Sequence, residues 1–210
     1  MQIERLRTYI QNFDENLQGG IPKNQVVLLT GTPGTMKSSV AYSILYYNAL
    51  EKGIKSVYMT LEQSRENLLQ QMNSLGMDDK RAEDYIQILD LGLIRKNLTQ
   101  LSAKGTWLQV FKMYAETVKK DLGFDLLVLD SLDVLEMAAQ MANDRRNDLF
   151  YLFMWLRGMN ITSFLIAETP VDNINGGRFE EGYLADGVIS LKLQSIGETD
   201  VQRRIRAVKL

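Results

Sequence analysis

The 210-residue sequence contains no cysteine and no histidine. The first absence excludes disulfides, thiolate catalysis and cysteine-type zinc sites. The second removes Ser-His-Asp chemistry, imidazole metal ligands and a histidine pH switch. Acid–base chemistry must therefore come from carboxylates, lysine, tyrosine or water. An excess of one charge is missing as well, since 24 basic and 26 acidic residues leave a formal net charge of −2. Such a balance offers no general attraction to nucleic acid or to an anionic membrane. No stretch approaches the roughly 18 consecutive apolar residues of a spanning helix. The opening "MQIERLRTYI" is amphipathic and charged, unlike a signal peptide. A cytoplasmic protein is expected.

What is present is an ordinary globular composition, 45% hydrophobic and 24% charged, of a length that suits one domain over residues 1–210. Residues 2–12 place Ile3, Leu6 and Ile10 on one stripe, which predicts a short N-terminal helix and lead-in up to residue 20. Apolar, β-branched runs predict buried strands at "QVVLLTG", "IKSVYMTLE", "FDLLVLDS" and "ITSFLIAE", with a weaker one at "DYIQILDLG". Helical periodicity predicts helices over residues 37–51, 65–76, 107–120 and 146–160. Ser64 is placed to cap the second, and Trp107, Val110 and Met113 are read as the core face of the third. Residues 92–106 read as irregular and 170–182 as a long glycine-bearing loop, while 133–145 fit no element clearly. Two alternating segments over 187–210 read as an antiparallel hairpin around Ser195–Gly197. Strands alternating with helices imply an α/β fold: a three-layer α/β/α core whose mainly parallel sheet ends in an antiparallel hairpin.

In such sheets ligands sit at the carboxyl ends of the strands. The stretch "GTPGTMKSS" lies at one, between a strand and a helix. Gly31 and Gly34 allow the backbone of Gly31, Thr32, Pro33, Gly34, Thr35 and Met36 to curl so that N–H groups converge. With the helix start at Lys37, Ser38 and Ser39 they would form a nest for phosphate. Lys37 can reach the β- and γ-phosphates, and the Ser38 hydroxyl can ligate Mg²⁺. The plain alternative is a Gly/Pro turn that happens to precede a helix.

Mg²⁺ calls for a further oxygen ligand. Asp130, ending the run "LLVLD", would supply it, the alternative being a strand-end turn. Glu62, after "VYMTL", could orient or deprotonate an attacking water if its strand neighbours that of Asp130. Otherwise it is a surface residue capping the next helix near Ser64. Glu168, ending "FLIAE", is a weaker candidate for sensing the γ-phosphate. Met36 occupies a position where such loops carry glycine. It is expected at a helix start, with ordinary backbone angles and its thioether turned from the phosphates.

Five segments in order resemble the KaiC branch of RecA-like ATPases, particularly archaeal KaiC-like proteins. They are "FDENLQGGIPKNQVVLLTGTPGTMKSS", "YMTLEQS", "LLVLDSL", "RRNDLFYLFMWL" and "YLADGVISL". The resemblance implies a RecA-type core, ATP with Mg²⁺, and a hexameric ring or filament with nucleotide between subunits. It implies phosphate and metal contacts for Lys37 and Ser38, metal support for Asp130, and Glu62 as catalytic carboxylate. Three departures stand out. Met36 replaces glycine, Gln63 replaces the second glutamate of a pair, and Lys209 is not followed by the arginine of a basic tail that reaches the neighbour's nucleotide. An arginine of that kind is worth orders of magnitude in rate, so slow or absent hydrolysis is expected.

The favoured reading is a slowly hydrolysing ATPase whose nucleotide state controls self-assembly and a regulatory protein partner. A non-hydrolysing nucleotide-gated module is the second. A recombinase-like DNA-binding protein is less favoured, because Asp144, Asp148, Glu180 and Glu181 offset Arg145, Arg146 and Arg178.

Overall fold

A computed structural model describes residues 3–93, 107–139, 145–169, 180–197 and 199–210. Parallel strands β3 (Val26–Gly31), β4 (Ser56–Thr60), β5 (Ile86–Asp90), β6 (Leu126–Asp130) and β7 (Thr162–Glu168) share one sheet with β8 (Gly187–Ile196) and β9 (Asp200–Lys209). The order of the seven strands is β5-β4-β6-β7-β3-β8-β9, and only the β8–β9 pair is antiparallel. The sheet thus closes on the expected C-terminal hairpin.

Strand alternation divides the core. Val27 and Leu29 point to one face, where they join Ala41, Ile44 and Leu45 of α2 (Lys37–Lys52) and Leu68 and Met72 of α3 (Arg65–Ser74). Val26 and Leu28 point to the other, onto Phe111, Ala115 and Val118 of α4 (Trp107–Leu122) and Leu149, Phe153 and Leu156 of α6 (Arg145–Gly158). Helices therefore cover both faces, which is why β3, β4, β6 and most of β7 are buried on both sides. Between β6 and α6 lies α5 (Leu132–Ala139), and α7 (Glu180–Leu184) precedes β8.

Several expectations are corrected. The N-terminal stripe is not a helix: Arg5–Leu6 form a short strand, β1, antiparallel to Ile21–Pro22, β2, and helix α1 comes later, at Phe13–Asn16. Asp14 stops the helix from starting earlier. Its carboxylate accepts the Thr8 and Tyr9 N–H groups at 2.9 and 3.0 Å and the Thr8 hydroxyl at 2.7 Å. Helix α4 exists, but its buried side is Phe111, Ala115 and Val118, and Met113 is 57% exposed. Part of 133–145 is helical, as α5, and the end of the expected 170–182 loop is α7. Residues 94–106, 140–144 and 170–179 of the remaining expectations lie outside the described residues.

Candidate functional site

Parallel register aligns the chain's polar strand ends. Gly31 pairs with Glu168 on one side and with Leu191 on the other, and Thr60 pairs with Asp130. The strand of Glu62 thus neighbours that of Asp130. The strand itself ends at Thr60, so Glu62 stands in the bend beyond it. A cleft of about 290 Å³ opens above these ends, and its walls include Lys37, Ser38, Glu62, Asp130, Ser131 and Glu168.

Of the nine loop residues, Pro33, Gly34, Met36, Lys37, Ser38 and Ser39 line the cleft. Gly31, Thr32 and Thr35 shape it from behind. The Thr35 hydroxyl donates to Thr32 O at 2.8 Å, while Gly31 O and Thr32 O accept from Lys37 Nζ at 2.9 and 3.3 Å. A Cβ on Gly31 would lie 2.6 Å from Leu191 O, so glycine here allows β8 its close approach. Lys37 Nζ also stands 3.8 Å from Glu168 Oε1.

Met36 departs from expectation. It precedes α2 with φ 69° and ψ 33°, the left-handed region that glycine occupies freely. A side chain at such angles costs roughly 1–2 kcal/mol. The loop keeps the backbone course a glycine would give it and bears that cost. Met36 also borders a second, apolar cleft of about 370 Å³ between α2 and the hairpin.

Helix α2 begins with no side-chain cap and no acidic residue in its first turn. Its leading N–H groups and positive dipole end face the cleft, which favours an anion. The Ser39 hydroxyl is buried and has no hydrogen-bond partner among the described residues. A buried hydroxyl so placed is suited to a ligand rich in acceptor oxygens. The cation side fits magnesium too. Among the described residues no cluster of three carboxylate-type side chains offers an all-protein metal cage. One carboxylate and one hydroxyl is instead the donor set of an ion that keeps waters and arrives with phosphate.

Asp130 is 2% exposed and accepts a hydrogen bond from Tyr58 Oη at 2.5 Å. Burial pushes its carboxyl up, and the negative charge of Glu62 adds to this. Hydrogen bonds from Tyr58 and Ser38, and the charge of Lys37, oppose it. Burial, then the adjoining carboxylate of Asp130, pushes the Tyr58 phenol well above its ordinary value. Glu62 Oε1 accepts the hydroxyl of Ser131. Ser64 caps α3 itself, accepting Asn67 N–H at 3.2 Å. Asp133 takes the backbone N–H of Glu168 at 2.8 Å, tying α5 to the end of β7, and burial raises its carboxyl.

Tyr58, Ser131 and Asp133 were not singled out from sequence. Tyr58 sits inside an apolar strand, where its hydroxyl was the only clue. Ser131 and Asp133 directly follow Asp130 in "LDSLD", a polar alternation that a purely apolar helix start would not need. Of the basic residues considered for DNA, Arg145 is engaged by Glu136, Nε to Oε2 at 2.5 Å, and Arg178 lies outside the described residues. Lys209 Nζ donates to Ala185 O at 2.6 Å within its own chain.

A family profile described as "ATPase: KaiC" matches residues 6–210. The chain belongs to the KaiC family of ATPases. A KaiC-like protein of Pyrococcus horikoshii OT3 has a solved structure that superposes with a TM-score of 0.81 at 29% identity, covering 100% of this chain and 89% of that one. A UPF0273 protein of Aeropyrum pernix is 29% identical over 92% of this chain and 80% of its own length. The "Circadian clock protein KaiC2" of Synechocystis sp. is 29% identical over 96% of this chain, which spans only 35% of that protein. The fold is accordingly the RecA-like fold of KaiC proteins, and family membership supports a nucleotide-binding ATPase. Among the described residues no helix is long and apolar enough to cross a membrane.

Proposed function

We propose that the cleft binds ATP with Mg²⁺ and hydrolyses it slowly, and that the bound nucleotide controls self-association and a regulatory protein partner. The observation that carries this reading is the convergence of Lys37, Ser38, Glu62 and Asp130 on one cleft at the carboxyl end of a parallel sheet. The backbone from Gly31 to Met36 and the start of α2 hold the phosphates, with the Ser39 hydroxyl as a further donor. Lys37 exchanges its carbonyl partners for phosphate oxygens. Ser38 and Asp130 would hold the metal, which would neutralise charge developing on the transferred phosphoryl group.

Glu62 orients the attacking water. Its carboxylate is exposed enough to reach solvent and is steadied by Ser131. Gln63 beside it brings no second carboxylate, which is consistent with low turnover. Ring or filament assembly, with nucleotide between subunits, follows the family. A cytoplasmic setting fits the same reading, and DNA binding is not favoured.

Phosphate release under single-turnover conditions, with sizing in the presence and absence of Mg-ATP, tests the proposal. The wild type is expected to release phosphate slowly and to change size. Glu62→Gln should bind nucleotide yet release none. Equal release from both would remove Glu62 from the mechanism. Binding without any release from the wild type would favour the nucleotide-gated module.

A further inference from the structure

Tyr58 is the one polar ring in β4, and it is fully buried. Its neighbours in the strand, Val57 and Met59, are apolar and equally buried. The ring is set against Tyr42 of α2, centroids 6.0 Å apart and tilted 57°, within the core on the α2 side of the sheet. It has little room to turn. A buried phenol must place its single proton on some acceptor. Here the acceptor is Oδ2 of Asp130 at 2.5 Å, and not a backbone carbonyl. One buried phenol thus holds the carboxylate assigned to the magnesium ion.

We propose that Tyr58 is a positioning residue for the metal side of the site, its hydroxyl fixing the carboxylate of Asp130 in the orientation a divalent cation requires. This rests on the nucleotide reading above and deepens it. Magnesium demands near-ideal octahedral geometry, so a carboxylate free to rotate is a poorer ligand than one already held. Hydrogen bonds to liganding side chains commonly change metal affinity by roughly 10–100-fold. The bond uses one carboxylate oxygen of Asp130 and leaves the other for the ion or its waters.

The test measures Mn²⁺ affinity of the ADP complex by electron paramagnetic resonance, and ADP affinity in EDTA by calorimetry. In Tyr58→Phe, which keeps the ring, Mn²⁺ affinity is expected to fall about tenfold. Metal-free ADP affinity should stay within about twofold, a split that general loosening of the core would not give. In an Asp130→Asn background, adding Tyr58→Phe should cause no further loss, because Tyr58 acts through that carboxylate. This second comparison stands even if the single variant fails to fold, since it no longer strands a buried carboxylate. Unchanged Mn²⁺ affinity in folded Tyr58→Phe, or a further loss in the Asp130→Asn background, overturns the proposal while leaving the nucleotide site intact. A wild type that binds neither ADP nor Mn²⁺ removes both.

Discussion

Met36 is where local backbone preference and the requirements of the loop conflict most openly. A methionine at φ 69° is held there by the loop around it, since its own preference is for negative φ. Met36→Gly should relieve that strain and open the cleft wall. An ADP affinity gain of up to about fivefold, near 1 kcal/mol, is expected by calorimetry. Weaker binding would mean that the side chain itself contributes to the site. Asp133 gives a pH signature. Burial raises its carboxyl above 3.8, so the folded chain holds that proton more firmly than the unfolded one. The stabilisation is therefore complete below the unfolded value and is lost as pH rises through the folded one. Asp133→Asn keeps an acceptor for Glu168 N–H but cannot ionise. Its stability relative to wild type should rise between about pH 3 and pH 7 in urea melts. A falling difference would show that the charge itself stabilises the fold.

At the level of elements, the phosphate loop depends on how closely β8 passes β3. Gly31→Ala would set a Cβ 2.6 Å from Leu191 O and 2.7 Å from Thr35 Oγ1. Backbone on one side and the loop's own bracing on the other leave little room to give, so a loss of about 1–3 kcal/mol is expected in urea unfolding. A neutral substitution would mean that β8 shifts freely. Strands β3, β4, β6 and β7 were legible in the sequence because double-sided burial writes itself as an apolar run. The N-terminal stripe misled for the opposite reason. Ile3, Leu6 and Ile10 have helical spacing, but β1 pairs with β2 and Asp14 claims the Thr8 and Tyr9 amides. Neither partner is visible in local periodicity. Helix α4 lies where expected, but Met113 of the expected core face is exposed. Met113 and the observed Phe111, Ala115 and Val118 all lie on an apolar helical repeat, and only the packing decides which turn inward.

Over the whole molecule, the parallel order and the closing hairpin bring Lys37, Ser38, Glu62 and Asp130 together from three separate stretches of chain. The motif spacing pointed to those residues. It could not show that Tyr58 reaches Asp130 across 72 positions, nor that Asp133 binds the end of β7, since both contacts exist only once β4, β6 and β7 lie side by side. The cleft sits at a sheet end formed by one chain. Calorimetric titration with Mg-ATP, run on the wild type and on Lys37→Ala, bears most directly on the claim that this cleft holds a nucleoside triphosphate by its phosphates. Saturable binding by the wild type and a loss of tenfold or more in Lys37→Ala, about 1.4 kcal/mol, is the result expected. No heat at millimolar nucleotide, or equal affinity in the two proteins, would contradict it.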